Sequence, residues 1–270
     1  MKPPDDTDAM ADALVVVETV GATRIVTLNR PRARNALTLA MLAEVQAAFH
    51  EASADHSVRC VVLTGAGEHF CAGADLRQTF ADDPAFLDRL EFYLDAFHDV
   101  VKGVVQCDKP TIAMMDGAAV GFGADLAFAC DLRVAAEGAY AQEKFVDIGL
   151  MPDGGGTFWL PRLVGTARAM QMILLAERIA AAELERLGVV SQVVERGALR
   201  EATLTLARRL EAGPPLAFAA IKRALHANLG SLDDALRRER DGQLRLLRSA
   251  DAAEGVAAWA QKRAPRFQGR

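Results

Sequence analysis

The sequence predicts an α/β fold with a mainly parallel sheet, followed by a helical carboxy-terminal region. Short β-rich apolar runs alternate with helix-period segments up to about residue 165, which is the pattern of βαβ units. Glycine and alanine fill several junctions where a predicted strand meets a helix. After residue 165 helical periodicity dominates. We therefore expect a disordered lead over residues 1–13, a core over 14–200 and a helical region over 201–270.

The first elements are a hairpin and a helix. β-rich runs at 14–17 and 24–28 flank Gly21, and a helical pattern then runs to residue 55 with Thr38 as its N-cap. Further strands are predicted at 58–63, 111–115 and 132–135, and further helices at 84–106, 121–129 and directly after the loop at 151–157. The helical region is predicted at 167–176, 180–187, 199–211, 216–229 and 232–247, interrupted by one β run at 189–194.

The composition excludes several classes of protein. The chain has 270 residues and is 51% apolar, so it can bury a sizeable core. A net charge of −5 argues against a nucleic-acid-binding surface. No apolar run approaches the roughly 18 residues of a membrane span, and the acidic amino terminus lacks the apolar stretch of a secretory signal. We expect a soluble, cytoplasmic protein that binds neither nucleic acid nor membrane.

The cysteines and histidines do not form a recognisable metal or redox motif. Cys60, Cys71, Cys107 and Cys130 lack C-x-x-C spacing and stand in apolar surroundings, which favours buried reduced thiols. The five histidines are scattered, so no metal site is expected. The glycine pairs at 65–67 and 121–123 lack the third glycine of a dinucleotide fingerprint.

Three loops combine small residues with a predicted junction between a strand and a helix. They cover residues 70–76, 116–126 and 151–157. The carboxyl ends of parallel strands face one edge of a sheet, where ligands bind. Small residues there let a ligand approach the backbone, and two free N–H groups could form an oxyanion hole. Close packing alone also explains glycine-rich junctions, so composition leaves both interpretations open.

The loops also carry motifs that occur in one order in a known family. They are LNRP at 28–31, NAL at 35–37, FCAGADL at 70–76, GAAVGFG at 117–123, ACD at 129–131, IGLMP at 148–152 and KRAPRF at 262–267. With these motifs the chain resembles the crotonase superfamily, the enoyl-CoA hydratase/isomerase group, over about residues 14–270. Each motif alone is weak evidence, but all of them in order are specific.

The resemblance implies a fold, a substrate class and an assembly. The fold is the crotonase ββα spiral core, and residues 201–270 become a helical region for trimerisation or for a lid. The substrate is an acyl-CoA thioester. Coenzyme A is then part of the substrate, and no separate cofactor is expected. The family forms homotrimers and dimers of trimers.

The resemblance also assigns binding residues. The two N–H groups that stabilise an enolate-like thioester oxygen match Ala74 and Phe122. Glycine is commoner at the second position, but phenylalanine is acceptable because only its N–H is used. Lys262 matches a terminal cation that can meet the CoA phosphates, sometimes from a neighbouring subunit. The predicted substrate-lining positions are Ala33, Ala72, Gly73, Asp75, Leu76 and Gly121.

The catalytic carboxylates depart from the hydratase pattern. Hydratases of the family use two glutamates, and the first of these positions is Asp125 here. The second lies seven residues before Pro152 and is Phe145, which cannot move a proton. Glu143 and Asp147 are near in sequence, but the match at 148–150 leaves no room for a gap that would bring either to that position. For Asp125 a catalytic role and a surface or helix-packing role are both open.

Asp153 directly follows Pro152 and resembles the single acid/base carboxylate of the family's isomerases. One carboxylate suffices for a 1,3-proton shift that moves a double bond from Δ3 to Δ2. Asp153 could instead merely cap the helix that follows. Other interpretations are a hydratase that uses Asp125 and Asp153, a dehalogenase-like nucleophile at Asp153, and a non-catalytic binding or scaffold protein of the same fold.

Overall fold

The alternation of strands and helices is present in the computed structural model, which describes residues 13–77, 86–227, 245–246 and 248–270. The strands are β1 (Val15–Val20), β2 (Thr23–Leu28), β3 (Cys60–Gly65), β4 (Thr111–Met115), β5 (Ala118–Val120), β6 (Leu132–Ala136), β7 (Tyr140–Gln142), β8 (Ile179–Ala180) and β9 (Gln192–Val194). The α-helices are α1 (Leu39–Ala54), α2 (Leu90–Gln106), α3 (Phe122–Ala129), α4 (Gly156–Val164), α5 (Thr166–Leu174), α6 (Ala181–Arg186), α7 (Leu199–Glu211), α8 (Pro215–His226) and α9 (Ala250–Ala260). Short 3-10 helices cover Pro31–Ala33, Phe86–Arg89, Phe145–Ile148 and Arg196–Ala198.

The main sheet has the strand order β1-β2-β3-β4-β6-β9 within the described residues. β1 and β2 form the predicted antiparallel hairpin, with Gly21 between them at a φ of +62°. The other neighbours in this sheet are parallel. The parallel strands therefore end at one edge, as the sequence predicted.

Helices cover both faces of this sheet, which explains why β3 and β4 are buried. Side chains alternate between the faces of a strand. Val61 and Leu63 pack into the larger apolar cluster, which also contains residues of α1, α2 and α3. Val62 and Ile112 face a smaller cluster that includes Leu199 of α7. A mainly parallel sheet needs this two-sided cover.

A second, smaller sheet was not predicted from the sequence. It has the order β5-β7-β8, with β5 parallel to β7 and β7 antiparallel to β8. These strands have only two or three residues each, too few to show a hydrophobic period. Their short pairing nevertheless places the loops after β4 and β7 beside each other, where the candidate site lies.

Most predicted elements are confirmed, with shifts at their ends. Thr38 caps α1 by accepting a hydrogen bond from the Met41 N–H, as predicted. The β run predicted at 189–194 is a strand only over β9, and α9 was not predicted. The predicted lead at 1–13 falls almost entirely outside the described residues, as do residues 84–85 and most of the helix predicted at 232–247. All four cysteines are buried and unpaired. In the part of the chain that the structure describes, no helix combines the length and apolarity of a membrane span.

Candidate active site

The loops after β3 and β4 are joined by backbone hydrogen bonds. The Cys71 N–H donates to the Ala118 carbonyl at 2.9 Å, and the Val120 N–H donates to the Cys71 carbonyl at 2.9 Å. This parallel bridge continues the order of the main sheet beyond the strand ends. It therefore brings the predicted segment at 70–76 alongside the start of α3.

Two glycines permit this close approach. A Cβ atom on Gly123 would lie 2.4 Å from the Cys71 carbonyl oxygen, and one on Gly73 would lie 2.8 Å from the Val120 carbonyl oxygen. Gly73 also has a φ of +93°, which disfavours any L side chain. Any larger residue at these two positions would push the loops apart.

The two predicted oxyanion donors lie on these paired loops with their N–H groups available. Leu37 donates to the Gly73 carbonyl and Asp75 donates to the Leu37 carbonyl, and this pairing skips the Ala74 N–H. Phe122 is the first residue of α3, so its N–H has no acceptor one turn earlier. Neither N–H donates a hydrogen bond within the described residues. The arrangement is consistent with an oxyanion hole.

The side chain of Phe122 points into the core and leaves its N–H unobstructed. The residue is 2% exposed, and its ring makes an edge contact with Phe97 of α2 at a centroid distance of 4.6 Å. A phenylalanine in place of the commoner glycine is thus accommodated by the core.

A buried asparagine supports the first loop from behind. The Asn35 amide donates to the Ala66 carbonyl at 3.0 Å and to the His69 carbonyl at 2.7 Å, and its oxygen accepts from the Arg30 N–H at 3.0 Å. The Arg30 guanidinium forms an ion pair with Asp75 at 2.8 Å. The His69 ring accepts a hydrogen bond from the Ala118 N–H at 3.2 Å, so it has a packing role.

The predicted lining residues lie along the same loops. Ala72 donates through its N–H to the Arg34 carbonyl, which places Ala33 next to this segment. Gly73 is buried and Ala72 is half-buried, whereas Leu76 is 45% exposed. Gly121 faces the ring of Phe145, which a Cβ atom would approach to 3.8 Å.

Lys262 is exposed, and the chain end near it contacts a different part of the molecule. The Phe267 carbonyl accepts a hydrogen bond from Arg59, just before β3, and Gly269 lies against Pro215. These contacts are at the amino end of β3, away from the loops that follow its carboxyl end. A contact of Lys262 with CoA phosphates stays a prediction.

Asp125 is completely buried, so a surface role for this carboxylate is excluded. Its Oδ2 accepts a hydrogen bond from the Gly154 N–H at 2.9 Å, which ties α3 to the third predicted loop. Burial raises the pKa of Asp125 to about 7. The hydrogen bond from Gly154 opposes this shift, and the charge of Asp153 adds to it.

Asp153 is half-buried and does not cap the next helix. α4 begins at Gly156 with Gly155 as its N-cap and no side-chain cap, so the capping interpretation is wrong. The Oδ1 atom of Asp153 is buried and accepts no hydrogen bond from the described residues. Burial raises the pKa of Asp153, and the nearby His98 of α2 opposes this shift. A carboxylate with a free oxygen at the strand-end edge could accept a proton.

Glu143 is the site residue that sequence reasoning missed. It is 2% exposed, and burial together with the charge of Asp125 raises its pKa well above the ordinary value. Phe145, which the motif match assigns to the position of the second family glutamate, lies beside Gly121. Glu143 directly follows β7, a strand too short to show a hydrophobic period, so the sequence carried no signal for its burial.

Comparisons with known proteins agree with this geometry. A family model described as Enoyl-CoA hydratase/isomerase matches residues 18–270. A probable enoyl-CoA hydratase of Rhodobacter capsulatus is 43% identical over 248 residues, which cover 91% of this chain and 94% of that protein. The 1,2-epoxyphenylacetyl-CoA isomerase of Escherichia coli is 38% identical over 246 residues, covering 90% of this chain and 94% of that protein.

The fold has close relatives among solved structures. The crystal structure of an enoyl-CoA hydratase from Bacillus anthracis superimposes with a TM-score of 0.90 at 32% identity, over 96% of this chain and 100% of that chain. The predicted crotonase fold is thereby confirmed. With a family match over nearly the whole length and relatives that share both sequence and fold, the chain belongs to the enoyl-CoA hydratase/isomerase family of the crotonase superfamily.

Proposed function

We propose that this enzyme is an enoyl-CoA isomerase that moves a double bond from Δ3 to Δ2 and uses Asp153 as its proton shuttle. The observation that carries this proposal is the difference between two carboxyl groups. Asp153 is half-buried with an unbonded oxygen, whereas Asp125 is fully buried and bonded to Gly154. By the motif match, Phe145 stands where hydratases of the family have their second glutamate, and phenylalanine cannot move a proton. One usable carboxylate matches a 1,3-proton shift.

The proposed reaction has two proton transfers. The Asp153 carboxylate removes a proton from C2 of the 3-enoyl thioester, and the electron pair moves onto the thioester oxygen to give a dienolate. The N–H groups of Ala74 and Phe122 stabilise this oxyanion, and such donors contribute about 100- to 1000-fold each in comparable sites. Asp153 then returns the proton to C4, the double bond forms between C2 and C3, and the carboxylate is restored.

The raised pKa of Asp153 suits this role. A general base works best when its pKa approaches the working pH, because it must both accept and release the proton. Burial raises the pKa of Asp153, while the half-buried side chain keeps access to a ligand. Asp125 lacks such access because no part of it is exposed.

The second candidate is an enoyl-CoA hydratase in which Asp125 and Asp153 replace the two glutamates. The probable enoyl-CoA hydratase of Rhodobacter capsulatus, a relative at 43% identity, favours it. So does the position of Asp153 directly before Gly154, whose N–H is bonded to Asp125. Hydration needs one group to activate water and another to protonate carbon. The burial of Asp125 argues against its contact with water.

The test gives the purified enzyme trans-3-enoyl-CoA thioesters and, separately, crotonyl-CoA. The isomerase proposal predicts formation of the conjugated 2-enoyl thioester, followed by its absorbance, and slow hydration of crotonyl-CoA. Fast hydration that is lost in Asp125→Asn would establish the hydratase instead. Turnover of neither substrate class, across a panel of chain lengths, would favour a non-catalytic binding protein.

We also propose the family's homotrimer or dimer of trimers for this chain. The KRAPRF motif at 262–267 and its predicted phosphate contact from a neighbouring subunit support this assembly. Sedimentation should show a trimer or hexamer. A monomer at all concentrations would refute the assembly, and Lys262→Ala should raise KM for the acyl-CoA if the contact exists.

A further inference from the structure

Three carboxyl groups in the candidate site have buried oxygen atoms that accept no hydrogen bond within the described part of the chain. Oδ1 of Asp125, Oδ1 of Asp153 and both Oε atoms of Glu143 are buried and accept no hydrogen bond from the described residues. Leaving one such polar atom unsatisfied costs about 1–3 kcal/mol, so four of them in one place need an explanation.

Two of these groups converge on one glycine. A Cβ atom on Gly156 would lie 2.5 Å from Oδ1 of Asp125 and 3.0 Å from Oε1 of Glu143. The other oxygen of Asp125 accepts from the Gly154 N–H. The Asp125 carboxyl group therefore contacts Gly154 on one side and faces Glu143 and Gly156 on the other.

No cation within the described residues neutralises this pair. Lys144 is next to Glu143 in sequence, but its amine is exposed and lies 3.8 Å from Asp147. The third charged group that acts on the pair is Asp153, which has the same sign. The charge of His98 lowers the pKa of Asp153. It is not among the charges that shift the pKa of Asp125 or Glu143.

Two adjacent buried carboxyl groups cannot both be ionised without a compensating charge, whereas one shared proton converts two repelling acceptors into a hydrogen bond. We infer that Glu143 is a positioning residue that shares a single proton with Asp125 and thereby fixes the Gly154–Gly156 turn that follows Asp153. The raised pKa values of both groups agree with this state.

The shared proton has two consequences for Asp153. It holds the Asp125 carboxyl group in place to accept the Gly154 N–H, which fixes the backbone directly after Asp153. It also limits the pair to one negative charge, so that Asp153 can ionise beside it. The second consequence rests on the proposed role of Asp153 as the proton shuttle, while the shared proton does not.

The direct test is infrared difference spectroscopy of the full-length protein near neutral pH. Wild type should show a protonated-carboxyl band that is lost in Glu143→Gln and also in Asp125→Asn, because either amide can donate to the remaining carboxylate in place of the proton. Glu137, an exposed residue between β6 and β7, provides the control Glu137→Gln, which should keep the band. A band that persists in either site variant, or that is absent from wild type, would overturn the shared proton.

The kinetic test separates positioning from mere packing. Glu143→Leu removes the proton donor, whereas Glu143→Gln keeps a donor of similar shape. We expect kcat of the isomerisation to be about tenfold higher in Glu143→Gln than in Glu143→Leu, the equivalent of one lost hydrogen bond. The loss of activity of wild type at high pH should weaken in Glu143→Gln, because the amide cannot ionise.

Equal activity and equal pH profiles in the two variants would overturn the positioning role. If the leucine variant does not fold, the pH profile of Glu143→Gln against wild type still decides it. If wild type does not isomerise 3-enoyl thioesters at all, the proposed function fails, and the infrared band still decides whether the proton is shared. The two ideas can thus fail separately.

Discussion

The substitution Gly123→Ala should separate the two halves of the proposed oxyanion hole. The new Cβ would lie 2.4 Å from the Cys71 carbonyl oxygen and 2.8 Å from the Cys71 Cβ. The first contact is about 1 Å closer than ordinary van der Waals contact, so the loop at 70–76 must move away from α3 by about that distance. A misplacement of about 1 Å can cost roughly 100-fold in rate.

The assay compares kcat for the 3-enoyl-CoA reaction and the free energy of unfolding. Overpacking of this kind should cost about 1–3 kcal/mol of stability, which leaves a folded protein to assay. Gly138→Ala is the matched control, because a Cβ there meets nothing within 4 Å and its φ is not positive. A folded Gly123→Ala enzyme with wild-type kcat would refute the proposed arrangement of Ala74 and Phe122.

Three further predictions concern stability. Asp125→Asn should gain stability relative to wild type as pH rises from about 4 to about 7. Folding raises the pKa of Asp125 from 3.8 to about 7, so the protonated carboxyl group stabilises the folded wild type fully only below the unfolded pKa. Wild type loses this stabilisation as pH rises through the folded pKa, whereas the asparagine variant does not. Chemical denaturation across this range measures it, and parallel pH curves would contradict it. Lys222→Met should cost about 3–5 kcal/mol, because it removes the buried ammonium group that lies 2.6 Å from the Asp131 carboxylate; a loss below 1 kcal/mol in urea unfolding would contradict this. Asn35→Ala should lower both Tm and kcat, because it leaves the Ala66 and His69 carbonyls without their hydrogen-bond donor. Each buried carbonyl without a donor costs about 1–3 kcal/mol of stability. An unchanged Tm in calorimetry would count against this prediction.

Much of the main sheet could be predicted because its strands and helices have clear periods. Two strands could be identified as continuous β-rich runs, at 24–28 and 111–115. The helix at 199–211 could be identified by its one apolar face. β5, β7 and β8 could not be predicted, because strands of two or three residues are defined by tertiary pairing alone. α9 was missed although it lies within the predicted helical region.

The candidate site was only partly predictable for a related reason. Motif order indicated Ala74, Phe122 and Asp153, because these positions stand at fixed places in short local motifs. Glu143 reaches Asp125 through a contact between residues 18 positions apart that the small sheet creates, and no local pattern announces it. Sequence alone also could not decide whether Asp125 was buried, because this depends on how the loop that contains Gly154 packs against α3.

The role of Asp153 is tested most directly by the rate at which the Asp153→Asn enzyme converts trans-3-enoyl-CoA into the 2-enoyl thioester. The amide keeps the size of the side chain but cannot accept the C2 proton. We predict that kcat falls by about 100- to 10,000-fold, the usual contribution of a positioned general base, while substrate binding is retained. A variant that conjugates the double bond at the wild-type rate would contradict the assignment of Asp153 as the proton shuttle.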